Sequence, residues 1–242
     1  MAIFEKSRAA RYDKTFFDGF AEDSARSARI VLAKLFETYR PNAVLDVGCG
    51  IGAWLRTAGE LGATTLRGLD GPWVSHEQLR IPLERFERID FEAEIWPEIR
   101  PADLAISLEV AEHLSERAGA HLVEYLTASA PVILFSAAIP AQGGEGHVNE
   151  RWQSYWAARF AEKGFSPSLA LRQKIWSEHA VEFWYQQNIT VFYAASHAHL
   201  FASESPHLTM DVVHPRLYEI RVIKRERRRQ RWKRYLPFIG RG

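Results

Sequence analysis

The stretch that most constrains this chain is residues 44–52, which read Val-Leu-Asp-Val-Gly-Cys-Gly-Ile-Gly. It begins in a short apolar run, carries an acid at Asp46, and then has glycine at three alternate positions. An amphipathic segment follows and is closed by Gly62. This order predicts a buried strand, a tight glycine turn and a helix with a glycine just past its end. Because glycine has no Cβ, the turn can bend sharply and a ligand can approach its backbone closely.

Strand-like and helical patterns alternate along the rest of the chain. Further strand-like runs occupy residues 64–71, 86–91, 103–108, 131–136, 168–176 and 188–195. Helical spacing of apolar residues is found at residues 24–36, 115–126 and 152–160. This alternation predicts an α/β fold with a parallel sheet covered on both faces. Because such sheets bind ligands beyond the carboxyl ends of their strands, the glycine turn is the expected floor of a nucleotide site.

Asp70, which ends the second predicted strand, lies 22 residues after Gly48. An acid there can accept both ribose hydroxyls of a nucleoside that lies over the turn. The dinucleotide fingerprint G-x-G-x-x-G seats a pyrophosphate, whereas this chain has G-x-G-x-G with Asp46 in the preceding strand. A carboxylate there would repel a pyrophosphate and would suit a cationic amino group. The spacing therefore points to a cofactor that carries an adenosine and an amino acid.

The glycine turn with its acid resembles the first motif of class I S-adenosylmethionine-dependent methyltransferases. Residues 109–114, Glu-Val-Ala-Glu-His-Leu, look like the E-V-x-E-H segment common in that superfamily. Residues 147–150 and 185–188 resemble segments of bacterial methyltransferases of glycan and secondary-metabolite pathways. The resemblance, over roughly residues 10–195, implies a doubly wound Rossmann-like α/β sheet of about seven strands, mostly parallel with an antiparallel last strand. It also implies S-adenosyl-L-methionine as the cofactor and S-adenosyl-L-homocysteine as its product.

The resemblance implies a role for each matching position. Asp46 would contact the methionine amino group, the turn glycines would line the methionine moiety, and Asp70 would hold the ribose. Asp90 would accept from the adenine amine and Phe91 would pack on the ring. A solvated surface acid is the alternative for Asp90, because its strand is poorly patterned. The complete set of expected cofactor-binding residues is Asp46, Gly48, Cys49, Gly50, Asp70, Gly71, Asp90, Phe91, Leu108 and Glu109.

Methyl transfer from a sulfonium is an in-line displacement, for which a protein supplies position and, for a weakly acidic hydroxyl, a base. His113 and His147 are candidates, since a histidine near its unperturbed pKa can take a proton. His147 follows a glycine loop after the fifth strand, where the acceptor should arrive. The alternative is a helix-capping or surface histidine. With Glu109, at the end of the fourth strand, these two histidines form the expected catalytic set.

A metal site is a further hypothesis for this region. Glu109, Glu112 and His113 are expected on one face of a helical turn and, with His147, could bind a divalent metal. The pattern resembles the metal site of small-RNA 3′-end 2′-O-methyltransferases and a related site in ubiquinone-pathway O-methyltransferases. It also occurs in metal-independent relatives, and the further histidine motif of the RNA enzymes is poorly matched around His147. We therefore predict no metal ligand and keep the cluster as a hypothesis.

Length and composition suit a globular protein. The 242 residues are 47% hydrophobic and 25% charged, which is enough apolar content for one sizeable core. We expect a helical cap or lid at residues 1–40, in which Tyr12 and Phe17 are candidate lid residues. An S-adenosylmethionine-binding methyltransferase domain is expected at residues 41–200, and an irregular segment with a basic tail at residues 201–242.

The tail is strongly basic. Residues 221–241 carry ten Lys or Arg and one acid, whereas residues 1–220, with 21 basic and 29 acidic residues, have a formal charge of −8. A basic helix with aromatic residues fits an anionic membrane surface or nucleic acid, and a solvated tail is the plain alternative. The membrane surface is preferred over nucleic acid because the acidic body would repel a polyanion. With a single cysteine and no signal-peptide core, we expect a cytoplasmic protein, peripheral at the inner membrane surface.

Three functional hypotheses follow from these patterns. The first is an O-methyltransferase that acts on a small molecule or glycan. The second is an RNA 2′-O-methyltransferase with a metal-assisted site. The third is a non-catalytic S-adenosylmethionine-binding module that regulates its partners. The aromatic segments do not identify an acceptor, because a fold hosts many substrates.

Overall fold

The computed structural model describes residues 14–202 and 209–223, with side chains in the first helix described from residue 22 onward. The expected lid residue Tyr12, the side chain of Phe17 and the basic tail beyond residue 223 lie outside these ranges. Among the described helices, none has the length and apolar character needed to cross a membrane.

Within the described residues, seven strands form a single sheet. In chain order they are β1 (Ala43–Val47), β2 (Thr65–Asp70), β3 (Phe86–Arg88), β4 (Leu104–Leu108), β5 (Val132–Ser136), β6 (Phe165–Ser168) and β7 (Thr190–Ala194). Their spatial order is β3-β2-β1-β4-β5-β7-β6. β7 runs antiparallel to both β5 and β6, and the other pairs are parallel. This confirms the predicted Rossmann-like sheet with an antiparallel last strand.

In the part of the chain that the structure describes, eight α-helices surround this sheet. They are α1 (Lys14–Phe36), α2 (Ala53–Glu60), α3 (Glu116–Ser129), α4 (Gln153–Glu162), α5 (Ala170–Ile175), α6 (Phe183–Asn188), α7 (Ala198–Phe201) and α8 (Pro215–Tyr218), which a π-helical turn continues through Glu219–Ile223. α3 begins after Ser115, which caps the helix because its hydroxyl accepts a hydrogen bond from the Ala118 amide at 3.2 Å.

The core has two parts, one on each face of the sheet. Leu104 and Ile106 of β4 point into the part formed with α1 and α2, while Ala105 points into the part formed with α3 and α4. This alternation follows from the two-residue period of a strand, which sends successive side chains to opposite faces. Covering both faces leaves the ends of the parallel strands as the place where a ligand can enter.

The prediction of one strand over residues 168–176 is wrong. The strand is short and ends at Ser168, and α5 occupies Ala170–Ile175. Leu171 and Ile175, four residues apart, are both buried. Four-residue spacing puts them on one face of a helix, so burial against the core favoured helix over strand.

Candidate active site

A cleft of about 510 Å³ opens at the carboxyl ends of β1, β2 and β4. Eight of the expected cofactor-binding residues line it, namely Asp46, Gly48, Cys49, Gly50, Asp70, Phe91, Leu108 and Glu109. The expected catalytic residues His113 and His147 also line it. The remaining two expected cofactor residues, Gly71 and Asp90, are not part of the lining. Asp90 is exposed and accepts a hydrogen bond from the Glu92 amide, as a surface acid does.

Backbone conformation requires glycine at three positions of the turn after β1, and at Gly48 the surrounding space requires it as well. Gly48, Gly50 and Gly52 all have positive φ, of 85°, 53° and 87°. A Cβ at Gly48 would lie 2.2 Å from Cγ2 of Val110, whereas a Cβ at Gly50 would meet no atom within 4 Å. Gly50 therefore leaves open space in the wall of the cleft, where a ligand can approach the backbone.

Asp70 ties this turn to the end of β2. Its Oδ2 accepts a hydrogen bond from the Gly50 amide at 2.5 Å, and its Oδ1 accepts one from the Gly71 amide at 2.6 Å. Burial raises the pKa of Asp70 to about 6, although these amide hydrogen bonds oppose the rise. The acid predicted for a ribose thus also holds the shape of the glycine turn.

Asp46 supplies a buried carboxylate that lacks a full set of partners. Its side chain is 2% exposed, and Oδ2 has no hydrogen-bond partner among the residues that the structure describes. Burial, and then the nearby charge of Asp70, raise the pKa of Asp46 well above its ordinary value. A buried acceptor without a partner is costly, and a ligand ammonium group would satisfy it. The cleft therefore fits a cofactor with a cationic amino group.

An aromatic pair also lines the cleft. The rings of Trp73 and Phe91 are stacked, with centroids 6.5 Å apart and planes inclined by 28°, and both residues line the cleft. Such faces offer apolar area for a flat ring. Trp73 was not among the expected site residues, because nothing in its local sequence distinguishes it from a core or loop tryptophan.

Glu109 stands at the end of β4 in a strained backbone conformation. Its φ is +55°, which is uncommon for a residue with a side chain and costs about 1–3 kcal/mol. Its carboxylate accepts hydrogen bonds from the Gln142 amide group at 2.9 Å and from the Asn188 amide group at 3.1 Å. Burial raises the pKa of Glu109, and these hydrogen bonds oppose the rise. Strain and hydrogen bonds together hold the carboxylate in one place beside the cleft.

His147 is paired with an acid that the sequence reasoning missed. Its Nδ1 lies 2.9 Å from Oε1 of Glu150, and Glu150 also accepts hydrogen bonds from the amides of Ala141 and Gly143 at 2.8 Å each. Burial raises the pKa of Glu150, but the hydrogen bonds from His147 and the two amides bring it below its ordinary value. An ionised carboxylate only accepts, so Nδ1 carries the proton and Nε2 is the basic nitrogen. The three-residue spacing of the two residues was the one local signal available.

His113 lines this side of the cleft, and the neighbouring Glu112 is buried outside the lining. The rings of His113 and His147 meet edge to face with centroids 4.7 Å apart. One potential ligand atom from each of Glu112, His113 and His147 lies within 4.8 Å of the others. The expectation that Glu109 shares a helical face with this group is wrong. The helical turn is a single 3₁₀ turn at Ala111–His113, and Glu109 precedes it with a left-handed backbone.

The far wall of the cleft comes from late parts of the chain. It consists of Phe183, Trp184 and Tyr185 from α6 and of Leu217, Ile220 and Arg221 from α8 and its π-helical continuation. The side chains of Phe183, Leu217 and Ile220 are wholly apolar, and that of Trp184 is an indole. The wall therefore offers a mainly apolar surface with a guanidinium at its edge.

Comparison with known proteins identifies this architecture. A family model described as a methyltransferase domain matches residues 20–173. No curated protein sequence matches the chain. Magnesium protoporphyrin IX methyltransferase of Synechocystis PCC 6803 with bound SAH has a TM-score of 0.53 and 15% identity, over 76% of this chain and 89% of that chain. The methyltransferase domain of bacterial CtHen1-C has a TM-score of 0.52 and 17% identity, over 71% and 98%.

A candidate O-methyltransferase from Nostoc punctiforme PCC 73102 has a TM-score of 0.53 and 16% identity, over 74% of this chain. The aligned region spans only 58% of that protein. At these identities the likeness is one of fold.

Proposed function

This chain belongs to the methyltransferase-domain family, and we propose that it transfers a methyl group from S-adenosylmethionine to an oxygen of a small-molecule or glycan acceptor. The observation that supports this proposal is the contact of His147, which lines the cleft, with the carboxylate of Glu150. A hydroxyl is weakly acidic and benefits from a base, and a histidine held by a carboxylate is a suitable one.

The cofactor would lie over the glycine turn. When bound, S-adenosylmethionine supplies a methyl group activated by its sulfonium. Asp46 would accept a hydrogen bond from the ammonium group, and Gly50 would allow close approach to the backbone. Asp70 and Phe91 would contact the ribose and the adenine ring.

On the acceptor side, His147 is the base. Because Nδ1 donates to Glu150, Nε2 accepts the proton of the acceptor hydroxyl, and the imidazolium that forms is stabilised by the neighbouring carboxylate. Gly144 leaves room for this ring, since a Cβ there would lie 2.2 Å from Nε2. Glu109, fixed by Gln142 and Asn188, would orient the acceptor at the end of β4.

The test is transfer of labelled methyl groups from the cofactor to fractions of a cell extract, with the product analysed for an O-methyl group. We expect His147→Gln to lower the rate by about 10²–10⁴-fold, as for loss of a general base, while cofactor affinity stays within about twofold. His179→Gln, an exposed histidine outside the cleft, is the matched control. Wild-type rates in His147→Gln, or a product methylated on nitrogen or carbon, would contradict the proposal.

RNA 2′-O-methylation with a metal is the second candidate. It is favoured by one observation, the proximity of potential ligand atoms from Glu112, His113 and His147. Carboxylate and imidazole groups are ligands for divalent transition metals. The two candidates differ in what they require of Nε2 of His147, which a metal would occupy and a base must leave available. Metal analysis of the purified protein and transfer to short RNA before and after chelation separate them, since activity that survives chelation removes this candidate.

Membrane contact remains a proposal about the basic tail, which lies outside the described residues. Anionic lipid attracts clustered Lys and Arg, at about 1 kcal/mol each near the surface. We expect the full chain to pellet with anionic vesicles and a chain ending at Ile223 to stay in the supernatant. Equal pelleting of both would exclude attachment through the tail. We propose a cytoplasmic location with this peripheral attachment.

A further inference from the structure

Arg221 occupies an unusual position for a residue of a basic C-terminal region. It belongs to the π-helical turn Glu219–Ile223 and lines the cleft together with Leu217 and Ile220. Its side chain is exposed at the edge of the cleft, whereas Leu217 is buried. This segment therefore forms part of the far wall of the cleft and is not only the beginning of the tail.

The segment that carries Arg221 is attached to the domain by hydrogen bonds. The His214 amide donates to Oε1 of Gln187 at 2.8 Å. The amide and the hydroxyl of Ser154, in the first turn of α4, both donate to the Asp211 carboxylate at 2.7 Å. These contacts fix the chain just before α8, so the fold determines where Arg221 lies.

The guanidinium itself is oriented by the loop below it. Nε of Arg221 donates to the backbone carbonyl of Gln142 at 2.8 Å. The next residue, Gly143, has a φ of +67°, and a Cβ there would lie 2.1 Å from a terminal nitrogen of Arg221. Gly143 is thus required both by its backbone conformation and by the arginine that packs on it.

The charge of Arg221 has no carboxylate partner. Among the described residues, no carboxylate oxygen lies within 4.0 Å of its guanidinium nitrogens. Glu109 is bound by Gln142 and Asn188, and Glu150 by His147 and loop amides. Glu145 also lines the cleft, and its carboxylate is likewise not within 4.0 Å of the guanidinium nitrogens of Arg221. An oriented guanidinium with two terminal nitrogens available matches the geometry of an oxyanion.

We propose that Arg221 binds an oxyanion group of the acceptor, a carboxylate or a phosphate. The apolar body of the acceptor packs against Leu217, Ile220 and the α6 aromatics, and its hydroxyl reaches His147. This assignment rests on the proposed function for the acceptor's identity, and it narrows the acceptor to an anionic molecule with an apolar body. Neutral sugars and unsubstituted aromatic alcohols would lack the group that Arg221 recognises.

The test compares small probes that differ in charge. Benzoate and phenyl phosphate are titrated against the full chain loaded with S-adenosylhomocysteine, with neutral benzamide as the isosteric reference. We expect the better anion to bind about tenfold more tightly than benzamide, the ratio expected for one charge-assisted hydrogen bond. The preferred anion, benzoate or phenyl phosphate, indicates whether the natural group is a carboxylate or a phosphate.

Substitutions test whether Arg221 causes the preference for an anion. Arg221→Gln should remove the preference, Arg221→Lys should retain part of it, and Gly143→Ala should weaken it by displacing the guanidinium. Arg216→Gln, an exposed arginine of α8 outside the cleft lining, should behave as wild type. Equal binding of benzoate, phenyl phosphate and benzamide to the wild type, or a preference that survives Arg221→Gln, would overturn the assignment. Failure of the proposed function appears separately, as unimpaired methyl transfer in His147→Gln.

Discussion

The Nδ1 atom of His147 lies 2.9 Å from Oε1 of Glu150, and the same carboxylate accepts the amides of Ala141 and Gly143. One acid thus sets both the tautomer of the histidine and the path of the loop that carries it. The loop is further attached to the rest of the site, because the amides of Val148 and Asn149 donate to the Glu112 carbonyl. The basic nitrogen of His147 is therefore held in place by contacts within residues 141–150 and by the attachment of this loop to Glu112.

Glu150→Gln should therefore slow methyl transfer without preventing cofactor binding. The amide side chain can donate to Nδ1 and so stabilise the wrong tautomer, and we expect a loss of at least about tenfold in kcat. The pH profile should change as well, since the carboxylate no longer stabilises the imidazolium. Glu150→Asp should restore part of the rate, and Glu162→Gln on exposed α4 surface is the control. A fall in rate with an unaltered pH profile would indicate a purely structural role for Glu150.

Asp70 should make the free energy of unfolding depend on pH. Burial raises its pKa from 3.8 to about 6 in the folded protein, so the folded state binds more protons than the unfolded state between these values. Its contribution to stability is present below pH 3.8 and is lost as pH rises through about 6, with a total of about 3 kcal/mol. Urea unfolding of the cofactor-free protein between pH 4 and 7 should show this decline relative to Asp70→Asn. Parallel curves for the two proteins would show that Asp70 does not titrate in this range.

Gly48→Ala and Gly50→Ala should separate stability from cofactor binding. At Gly48 the new methyl group meets Val110 at 2.2 Å, so the folded protein should lose several kcal/mol, well above the usual ~1 kcal/mol of a point substitution. At Gly50 the methyl group meets no atom, and the left-handed backbone costs about 1–2 kcal/mol. Gly50→Ala should therefore remain folded but bind S-adenosylmethionine more weakly than the wild type, because the methyl group occupies open space in the cleft. Calorimetry measures the affinity for the cofactor, and urea unfolding measures the free energy of unfolding. An unchanged affinity in Gly50→Ala would mean that the cofactor does not lie against Gly50.

Asn188→Ala should raise the pKa of Glu109, although the two residues are 79 positions apart in the sequence. Removing the amide donor leaves a buried carboxylate with one hydrogen bond fewer, at a cost of about 1–3 kcal/mol. The pKa of Glu109 should rise further, because one of the hydrogen bonds that oppose its burial is lost. Carboxyl titration by nuclear magnetic resonance follows this rise, and Asn188→Asp, which places a second charge beside Glu109, should raise it more. An unchanged pKa in both variants would mean that Asn188 does not act on Glu109.

The fold and the part of the cleft around the glycine turn were predictable from local patterns. The order of strand, glycine turn and helix around Asp46 is contained within a few residues, and Asp70 follows on the adjacent strand. Period-two burial and positive φ at the glycines are local consequences of residue type. The structure places these residues on one cleft, and their individual contacts with the cofactor stay predictions. The error at residues 168–176 arose where a short apolar run suits either a strand or a helix, and only packing against the core distinguishes the two.

The side of the cleft where we propose that the acceptor binds was decided by tertiary structure. Gln142, Asn188 and Arg221 are remote in sequence from Glu109 and from one another, and no spacing rule connects them. They meet because antiparallel β7 returns the chain to the sheet beside β5 and because residues 209–214 attach α8 across the opening. By itself the sequence determined the glycine turn that we predict to bind the nucleoside, since that turn needs only neighbouring residues and their backbone conformations. The residues that lie opposite the turn are brought there by contacts between distant segments. Those contacts form, and stabilise the site, only when the sheet has formed.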